Sequence, residues 1–446
     1  MIVLKFGGSS LADSAKIKNI SEIIKNSISE KPIIVCSAIG KTTDYLLEAS
    51  AKALEGTVDI TKIKEINELV LNELEVEKTT IAPLFEELTD LLNEICTIKE
   101  LTPRERDYLV SFGERLSVRI ISEYLNNKGI TAKFFDGWDA GFVTDSVAEN
   151  AEILEETYSN ISQTFSGLET NYEFTPIVTG FIGKDKEGHV TTLGRGGSDL
   201  TASVIGAAIN AKEIQYWKDV NGILTTDPRM VKTALPIKQI SFEEASEMAF
   251  FGAKIFHPKS ILPAMKYGIP VRVKNSLKPE VEGTLILKKI DSSKEELVKA
   301  ISFKKGIAIV DIVSTRMLGQ HGFLAKVFDV FEEEKISVDV VSTSEVSISL
   351  TVSNTSCLAC LGQQLEKIAD VNFAKNNAIV SIVCDITKSS EILSKAFDAL
   401  AKEKINVKMI SQGASKVNIS FIIDEEQMEK TVKILHKLFF EKKEEN

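Results

Sequence analysis

The sequence predicts an α/β protein, in which a mostly parallel sheet is followed by a smaller α+β region built from a duplicated unit. Residues 2–35 have the pattern of strand, glycine turn, helix and strand, which is the connection that parallel strands require. Residues 176–211 have the pattern of a buried strand ending at Gly183, a glycine-rich turn and an apolar helix. Residues 323–342 and 392–411 match at a constant offset of 69 with nine identical pairs, which indicates tandem modules.

Composition limits the possible functions. A chain of 446 residues is too long for one ordinary core, so two or three domains are expected. The net charge of −11 argues against binding to bulk nucleic acid. No apolar run reaches the roughly 20 residues of a membrane span, and the first residues do not resemble a signal peptide. The five cysteines are scattered, and Cys357 and Cys360 lie in a helix-like run typical of core thiols, so we expect a cytoplasmic protein with no membrane partner.

The first predicted strand, residues 2–6, leads directly into two glycines and two serines. Glycines let a backbone approach a ligand closely and Lys5 supplies positive charge, so we interpret Lys5, Gly7 and Gly8 as a phosphate site. A solvated lysine at a strand edge is the alternative, and the spacing is not that of a Walker A loop. A helix over 13–27, a strand over 33–35 and a helical excursion over 42–96 follow.

The next predicted helix begins at Thr102-Pro103 and contains a glycine in its interior. Glycine costs about 1 kcal/mol relative to alanine at such a position. Gly113 therefore indicates close packing or a ligand beside Glu114, although a solvated Glu114 is also possible.

The most informative stretch is residues 191–199, Thr-Thr-Leu-Gly-Arg-Gly-Gly-Ser-Asp. Glycine turns at the start of a helix direct backbone N–H groups towards an anion, and Arg195 adds a planar fork suited to carboxylate or phosphate. Ser198 and Asp199 are also common N-cap types. Capping does not explain an arginine within the glycines, so the ligand-binding interpretation is favoured.

Two polar turns, residues 218–222 and 225–229, come next and suit the rim of a nucleotide site, or are ordinary surface loops. Lys218 and Lys254 are the candidate cations of this half, and His257 before a proline is expected to be structural. Residues 271–275 and 284–287 have the pattern of closing strands. Each later repeat then has the order βαββ over about 70 residues.

With these motifs, the chain resembles the aspartokinases over essentially its whole length. The matching stretches are KFGGSS (5–10), SAIGKTTD (37–44), SFGE (111–114), TTLGRGGSD (191–199), KDVNGILTTDPR (218–229) and GAKIFHP (252–258). The resemblance implies an amino-acid-kinase fold over residues 1–295, a mostly parallel sheet sandwiched by helices. It also implies two ACT-type βαββαβ modules over 296–375 and 376–446, an arrangement that allows the strand near 299–304 to belong to the second module.

The resemblance further implies phosphorylation of the β-carboxylate of L-aspartate by ATP with Mg²⁺, which begins lysine, threonine and methionine synthesis. Since the attacking carboxylate is already ionised, the protein must position two anions and neutralise charge. Lys5 and Lys254 would neutralise, Asp199 would hold Lys5, Arg195 would clamp a carboxylate and Glu114 would take the α-ammonium. The implied residues are, for catalysis, Lys5, Asp199 and Lys254; for substrate, Ser37, Thr43, Glu114, Arg195 and Ser198; for nucleotide, Lys5, Gly7, Gly8, Lys218, Asp219, Leu224, Arg229 and Lys254. Mg²⁺ is expected on the phosphates and water, with no protein ligand.

Acidic side chains distinguish the first repeat from the second. Asp339 and Glu345 correspond to Lys408 and Ala414, so the first repeat suits a ligand with an extra ammonium, although both could be solvated surface acids. The stretch resembles lysine-sensitive aspartokinases, which implies an L-lysine site. Its residues would be Met317, Gln320, Gly322, Phe323, Leu324, Ser337, Val338, Asp339, Ser344 and Glu345. Because ACT modules usually pair edge to edge, a homodimer or homotetramer is expected.

Two other functions compete with this interpretation. One is a kinase of the same fold acting on acetylglutamate, carbamate or a nucleotide, against which the Glu114 and Arg195 pair and the repeats argue. The other is a regulatory amino-acid-binding protein with an inactive kinase domain, against which the intact charged positions argue. A fusion with homoserine dehydrogenase is not expected at this length.

Overall fold

The computed structural model describes residues 1–252, 255–290, 296–314, 321–355, 358–413 and 415–441. The chain divides into two compact units, and neither is continuous in sequence. The first unit comprises Met1–Ile223, Lys238–Phe242 and Phe256–Ile290, and the second comprises Leu224–Ile237, Glu243–Ile255 and Asp291–Asn446. The division at 295 and 375 made from sequence remains a proposal.

An eight-stranded sheet forms the centre of the first unit, in the order β3-β5-β2-β1-β8-β10-β11-β9. Its strands are β1 (Ile2–Phe6), β2 (Pro32–Cys36), β3 (Ala132–Phe135), β5 (Thr175–Thr179), β8 (Ile214–Lys218), β9 (Gln239–Ser241), β10 (Val271–Asn275) and β11 (Thr284–Leu287). Every pair is parallel except β10 with β11, which confirms the predicted mostly parallel sheet. β1 and β2 are buried at every position, as expected for strands covered on both faces.

Helices surround this sheet and supply much of the core of the first unit. They are α1 (Ser14–Asn26), α2 (Thr42–Leu54), α3 (Thr61–Leu74), α4 (Ala82–Ile98), α5 (Pro103–Asn127), α6 (Gly137–Ala140), α7 (Glu156–Phe165), α8 (Gly197–Ala208) and α10 (Leu262–Tyr267). α5 begins with a capping box, in which Thr102 and Glu105 satisfy each other's backbone N–H groups. α9 (Phe242–Phe250) spans the division between the units.

The expected strand over 176–182 is wrong at its carboxyl end. β5 ends at Thr179, and the chain turns at Gly180 and Phe181, where Phe181 has a φ of +72°. The next residues form β6 (Ile182–Asp185), which joins β4 (Val143–Thr144) and β7 (Val190–Thr192) in a separate three-stranded sheet. The turn is needed because Gly180 lies against Ser198 of α8, where a side chain has no room.

A six-stranded antiparallel sheet, ordered β13-β14-β12-β15-β17-β16, forms the second unit. Its strands are β12 (Val298–Val313), β13 (Val338–Thr343), β14 (Ser347–Val352), β15 (Asp370–Cys384), β16 (Met409–Gln412) and β17 (Asn418–Asp424), and its helices are α11 (Phe323–Glu333), α12 (Leu358–Leu365), α13 (Ser389–Lys402) and α14 (Glu425–Phe440). The two sequence repeats are α11 with β13 and β14, and α13 with β16 and β17. β12 pairs with β14 through its second half and with β15 along most of its length, so one strand serves both repeats.

Among the helices that the structure describes, none has the length and apolar character needed to cross a bilayer.

Candidate active site

One cavity of about 320 Å³ in the first unit gathers most of the predicted catalytic and substrate residues. Its lining comprises Lys5, Ser37, Thr43, Glu114, Phe181, Gly194, Gly196, Gly197, Ser198 and Asp199. These residues lie at the carboxyl ends of β1 and β2, in the turn between β5 and β6, in the glycine-rich turn and at the starts of α2 and α8, with Glu114 in the interior of α5. Ligands in parallel α/β sheets commonly bind at the carboxyl ends of strands.

Two lysines converge on the buried carboxylate of Asp199. The Lys5 ammonium lies 2.6 Å from Oδ1, and the Lys218 ammonium donates to Oδ2 at 3.0 Å. Burial alone would raise the pKa of Asp199, but the two ammoniums lower it to about 2. Burial lowers the pKa of Lys5, and Asp199 opposes that shift. Asp199 is therefore a fixed counter-ion that orients two cations.

Glu114 is the second buried carboxylate of the cavity, with 4% of its surface exposed. Its Oε1 accepts the backbone N–H of Ala38 at 3.1 Å, whereas its Oε2 has no hydrogen-bond partner in the described structure. Burial raises the pKa of Glu114 from 4.5 to about 8, against the opposing effects of the Ala38 N–H and Lys5. A buried acid with an unused oxygen is suited to receive a cationic ligand group.

The glycine-rich turn is shaped by tertiary packing. Gly196 has a φ of +77° and is itself the N-cap of α8, so Ser198 and Asp199 lie in the first helical turn and do not cap it. The capping alternative for these two residues is thus wrong. A Cβ at Gly196 would lie 2.6 Å from the Cβ of His257, so this position requires glycine for its conformation and for space.

Close packing also explains the glycine inside α5. A Cβ at Gly113 would lie 2.8 Å from the Cβ of Ala38 and 3.4 Å from Oγ1 of Thr43. The helix can approach the end of β2 only because this residue has no side chain, and that approach brings Glu114 to the Ala38 N–H. Ser37 donates to Ser198 at 3.0 Å across the same cavity.

The remaining predicted residues are placed less centrally. Arg195 is exposed on the turn, and within the described residues its guanidinium forms no ion pair. Asp219 is exposed just beyond Lys218. Leu224 and Arg229 belong to the second unit, where Arg229 is exposed and pairs with Asp227. Gly7 and Gly8 follow β1, and a Cβ at Gly7 would lie 3.4 Å from the Lys5 ammonium. Lys254 lies outside the described residues.

Asp107 was missed by the sequence analysis. It is 1% exposed and accepts three hydrogen bonds, from the Glu149 N–H at 2.9 Å, the Thr192 N–H at 3.1 Å and the Thr192 hydroxyl at 2.7 Å. It therefore fastens α5, which carries Glu114, to the end of β7, which leads into the glycine-rich turn. Its position two helical turns before Glu114 was the available signal.

The predicted effector residues lie in the second unit. Gly322, with a φ of +79°, is the N-cap of α11, Phe323 is buried, and Leu324 is 42% exposed. Val338 is half-buried in β13, and Ser337, Ser344 and Glu345 are exposed; Ser344 shares a hydrogen bond with the hydroxyl of Ser347. Met317 and Gln320 lie outside the described residues.

Asp339 has an internal partner that the sequence analysis did not anticipate. Its side chain is 2% exposed, and its Oδ1 accepts from the Lys304 ammonium at 2.8 Å. The other oxygen, Oδ2, is buried without a hydrogen-bond partner in the described structure. Asp339 is therefore not a solvated surface acid, and it retains one oxygen that can accept a further ammonium.

A cluster of Asp185, Glu187 and His189 has the geometry of a metal site but needs no ion to explain it. Asp185 already accepts the backbone N–H groups of Glu187 and His189 in a hairpin turn.

The cysteine prediction is wrong at one position. Cys360 is an exposed thiol of α12 and not a core thiol, and Cys357 lies outside the described residues.

Comparison with known proteins agrees with this fold. The amino acid kinase family model matches residues 1–275, and an ACT domain model matches 310–361 and 380–439. Aspartokinase 1, chloroplastic, of Arabidopsis thaliana is 48% identical over 98% of this chain and 80% of its own length. Lysine-sensitive aspartokinase 3 of Escherichia coli is 33% identical over 99% of both chains.

Solved structures of aspartokinases are similar to this chain over 99% of its length. E. coli aspartokinase III in complex with aspartate and ADP, in its R-state, has a TM-score of 0.83 at 32% identity, with 99% of this chain and 100% of that chain covered. The same enzyme in complex with lysine and aspartate, in its T-state, has a TM-score of 0.76 at 33% identity, with the same coverage.

Fold and site together define an amino acid kinase followed by ACT domains. More specifically, the chain belongs to the aspartokinases, and it is an enzyme of that activity, an aspartate kinase.

Proposed function

We propose that this aspartate kinase transfers the γ-phosphoryl group of ATP to the β-carboxylate of L-aspartate, giving 4-phospho-L-aspartate. The main support is the pair of lysines held on one buried carboxylate beside a second buried acid, around a cavity of about 320 Å³. The complex of E. coli aspartokinase III with aspartate and ADP supports both ligands.

The proposed mechanism is electrostatic. A carboxylate attacking a phosphoryl group brings two anions together, so the enzyme must hold them in line and neutralise the charge that spreads over the phosphoryl oxygens. Lys5 and Lys218 are held by Asp199 in fixed positions, which avoids reorganisation at the moment of reaction. The backbone of Gly7 and Gly8 and the side chain of Lys254 complete the proposed phosphate site.

Mg²⁺ enters in this proposal as part of the nucleotide substrate. Both oxygens of Asp199 already face ammonium groups, so this carboxylate is not available as a metal ligand without losing one of them. Phosphate oxygens and water would supply most of the coordination, as is common for Mg²⁺. Lys218, Asp219, Leu224 and Arg229 are proposed to border the nucleotide.

In this proposal the charged groups of aspartate face protein groups of opposite charge. The α-ammonium would meet the free Oε2 of Glu114, while Arg195 would turn inward to clamp a carboxylate. Ser37, Thr43 and Ser198 are proposed as hydroxyl partners. This assignment requires Glu114 to lose its proton as the ammonium arrives, because a neutral acid gives no ionic attraction.

We further propose feedback inhibition by L-lysine at the first repeat. The supporting observation is the buried, unpartnered Oδ2 of Asp339, with Glu345 exposed beyond the end of β13. E. coli aspartokinase III has been crystallised with lysine and aspartate, which supports the choice of effector. β13 and β16 form the two edges of the six-stranded sheet, and either edge could pair with a second copy in a homodimer or homotetramer.

A hydroxamate assay tests the reaction directly. The purified chain is incubated with ATP, Mg²⁺ and hydroxylamine, with L-aspartate in one series and N-acetyl-L-glutamate in the other. We expect aspartyl hydroxamate only with aspartate, and equimolar release of ADP. ADP without hydroxamate, or a faster reaction with N-acetylglutamate, would contradict the proposal.

The cytoplasmic location expected from the sequence remains a prediction.

A further inference from the structure

A second and larger cavity, of about 700 Å³, lies in the first unit and has no role in the reaction proposed above. Leu193 and Leu200, the residues on either side of the glycine-rich stretch 194–199, both line it. Residues of that stretch line the active-site cavity. One short segment of chain therefore borders two cavities, with its polar middle in one and its apolar ends in the other.

The interior of this second cavity is mainly aliphatic. Leu193 and Val204 are buried, whereas Leu262 is 52% exposed and Met265 is half-buried, so an apolar surface remains open to solvent. A volume of about 700 Å³ lies within the range of small-molecule sites, and mainly apolar linings with a few charged groups are typical of them.

Three lysines from two segments border the cavity, against one acid. Lys259, Lys266 and Lys288 are exposed lining residues, and Glu152 is the only carboxylate among the described lining residues. Lys266 lies 3.9 Å from Glu155, while Lys259 and Lys288 form no ion pair in the described part of the chain. An apolar interior bordered by unpaired ammonium groups favours a ligand with an apolar body and one negative charge.

We propose that this cavity binds a small amphiphilic anion, namely an aliphatic carboxylate, with its chain against Leu200, Leu262 and Met265 and its carboxylate at Lys259 and Lys288. We also propose that binding of this carboxylate is coupled to the binding of aspartate, and this second part rests on the function proposed above. A ligand that packs on Leu200, the residue directly after the glycine-rich stretch 194–199, stabilises the described conformation of that stretch. That conformation holds Ser198 and Asp199 in the active-site cavity, so the ligand should tighten aspartate binding.

Reciprocity makes the coupling measurable from either side. If the carboxylate lowers the Kd of aspartate by about fivefold, aspartate must lower the Kd of the carboxylate by the same factor. The probe is decanoate, kept below the concentration at which it forms micelles, and it is titrated by calorimetry into the full-length chain with and without saturating aspartate. Decanol, which has the same chain without the charge, is the matched ligand.

Two kinds of variant localise the binding. Lys259→Glu combined with Lys288→Glu reverses the charge at the border, and Met265→Trp fills the apolar interior. Lys25→Glu, an exposed lysine of α1 outside the cavity, is the matched control. We expect 1:1 binding of decanoate that is at least tenfold weaker in both cavity variants, unchanged in the control, weaker for decanol, and about fivefold tighter with aspartate.

Several results would overturn the proposal. They are no heat of binding up to the solubility limit, binding that survives both cavity variants, or binding that aspartate leaves unchanged. A shift in the sedimentation coefficient of Met265→Trp would also overturn it, since the cavity would then be a contact between copies of the chain. The calorimetric titration does not depend on turnover, so the two proposals can fail separately. Absence of decanoate binding would leave the hydroxamate result unaffected, and absence of hydroxamate would leave the measured binding of decanoate unaffected.

Discussion

The active-site cavity contains two buried carboxylates, and their neighbours shift the pKa values of the two groups in opposite directions. Asp199 has two ammonium partners and its pKa is lowered to about 2, whereas Glu114 has one backbone N–H and its pKa is raised to about 8. Environments that separate two pKa values in this way commonly assign different roles to the residues. In the proposed function, Asp199 is a permanent counter-ion and Glu114 is an acid that becomes charged when its ligand arrives.

The raised pKa of Glu114 predicts a pH dependence. In the free enzyme Glu114 is largely protonated below pH 8, and only its ionised form attracts the ammonium of aspartate. We expect kcat/KM for aspartate to rise with pH up to about 8 and then to level off, while Glu114→Gln should show a low, flat profile in that range. An equally steep rise in Glu114→Gln would assign the titration to another group.

The same shift predicts an effect on stability. Between pH 4.5 and about 8 the folded protein holds the Glu114 proton and the unfolded chain does not, so the free energy of unfolding should fall as pH rises through this window. Urea unfolding across this range should show that loss in the wild type and less of it in Glu114→Gln. Parallel curves for the two proteins would argue against a raised pKa.

Lys5 is predicted to be the principal catalytic cation. Lys5→Met removes one preorganised charge, and by analogy with the loss of one such donor kcat should fall about 10²- to 10³-fold. Lys274→Met is the matched control, since Lys274 is a half-buried lysine of β10 outside the cavity lining. Steady-state rates and thermal melting measure both variants. Near-normal turnover in folded Lys5→Met would contradict the role.

At the scale of secondary structure, Asp107 connects α5 with the end of β7, the two segments that lead to the proposed substrate residues Glu114 and Ser198. Asp107→Asn replaces one acceptor oxygen by a donor that faces the N–H groups of Thr192 and Glu149. We expect a loss of about 1–3 kcal/mol in the free energy of unfolding and a higher aspartate KM, because Glu114 and the glycine-rich turn lose their common fastening. Asp90→Asn, an exposed aspartate of α4, is the control. Unchanged stability and KM would remove Asp107 from this role.

Local patterns predicted most elements but not where the chain reverses. The continuous apolar run over 176–182 gave no indication that β5 ends at Thr179. The reversal depends on contacts from residues distant in sequence: Ser198 occupies the space beside Gly180, and the Thr201 hydroxyl accepts the Phe181 N–H at 3.0 Å. The capping alternative for Ser198 failed for a similar reason, since His257 beside Gly196 determines the shape of the turn. Local residue types were therefore sufficient to locate the motifs in the sequence, whereas the conformation of each motif depends on tertiary contacts.

At the scale of the whole molecule, the second unit includes two segments that lie among kinase motifs in the sequence. Ile301 donates to the Thr225 carbonyl at 2.7 Å, and the Thr225 hydroxyl lies 3.0 Å from Nε2 of His436. These contacts join residues more than 70 positions apart, which no local pattern reveals. Their consequence is that Leu224 and Arg229, two proposed nucleotide residues, belong to the same compact unit as Asp339.

This shared unit suggests how an effector at Asp339 would reach the nucleotide. Lys304, which pairs with Asp339, also lies 5.0 Å from the centre of the Phe250 ring in α9, two residues before Gly252. An ammonium at the free Oδ2 of Asp339 would share this carboxylate with Lys304 and weaken the Lys304–Asp339 pair, and a displaced Lys304 would change its contact with Phe250 of α9. We therefore expect lysine to raise the KM for ATP more than the KM for aspartate, as initial rates at several lysine concentrations would show.

Asp339→Asn tests this connection. Lys304 is a quarter exposed and can turn to water when its partner becomes neutral, so the variant should fold and retain kinase activity. Lysine loses an ionic partner in it, and if the preference for the inhibited state falls from about 100-fold to none, about 2.7 kcal/mol of coupling disappears with the inhibition. Asp398→Asn, an exposed acid of the second repeat that pairs with Lys402, is the matched control and should keep the wild-type lysine response. Wild-type inhibition in Asp339→Asn, or suppression of the wild type by threonine but not by saturating lysine, would refute the effector assignment.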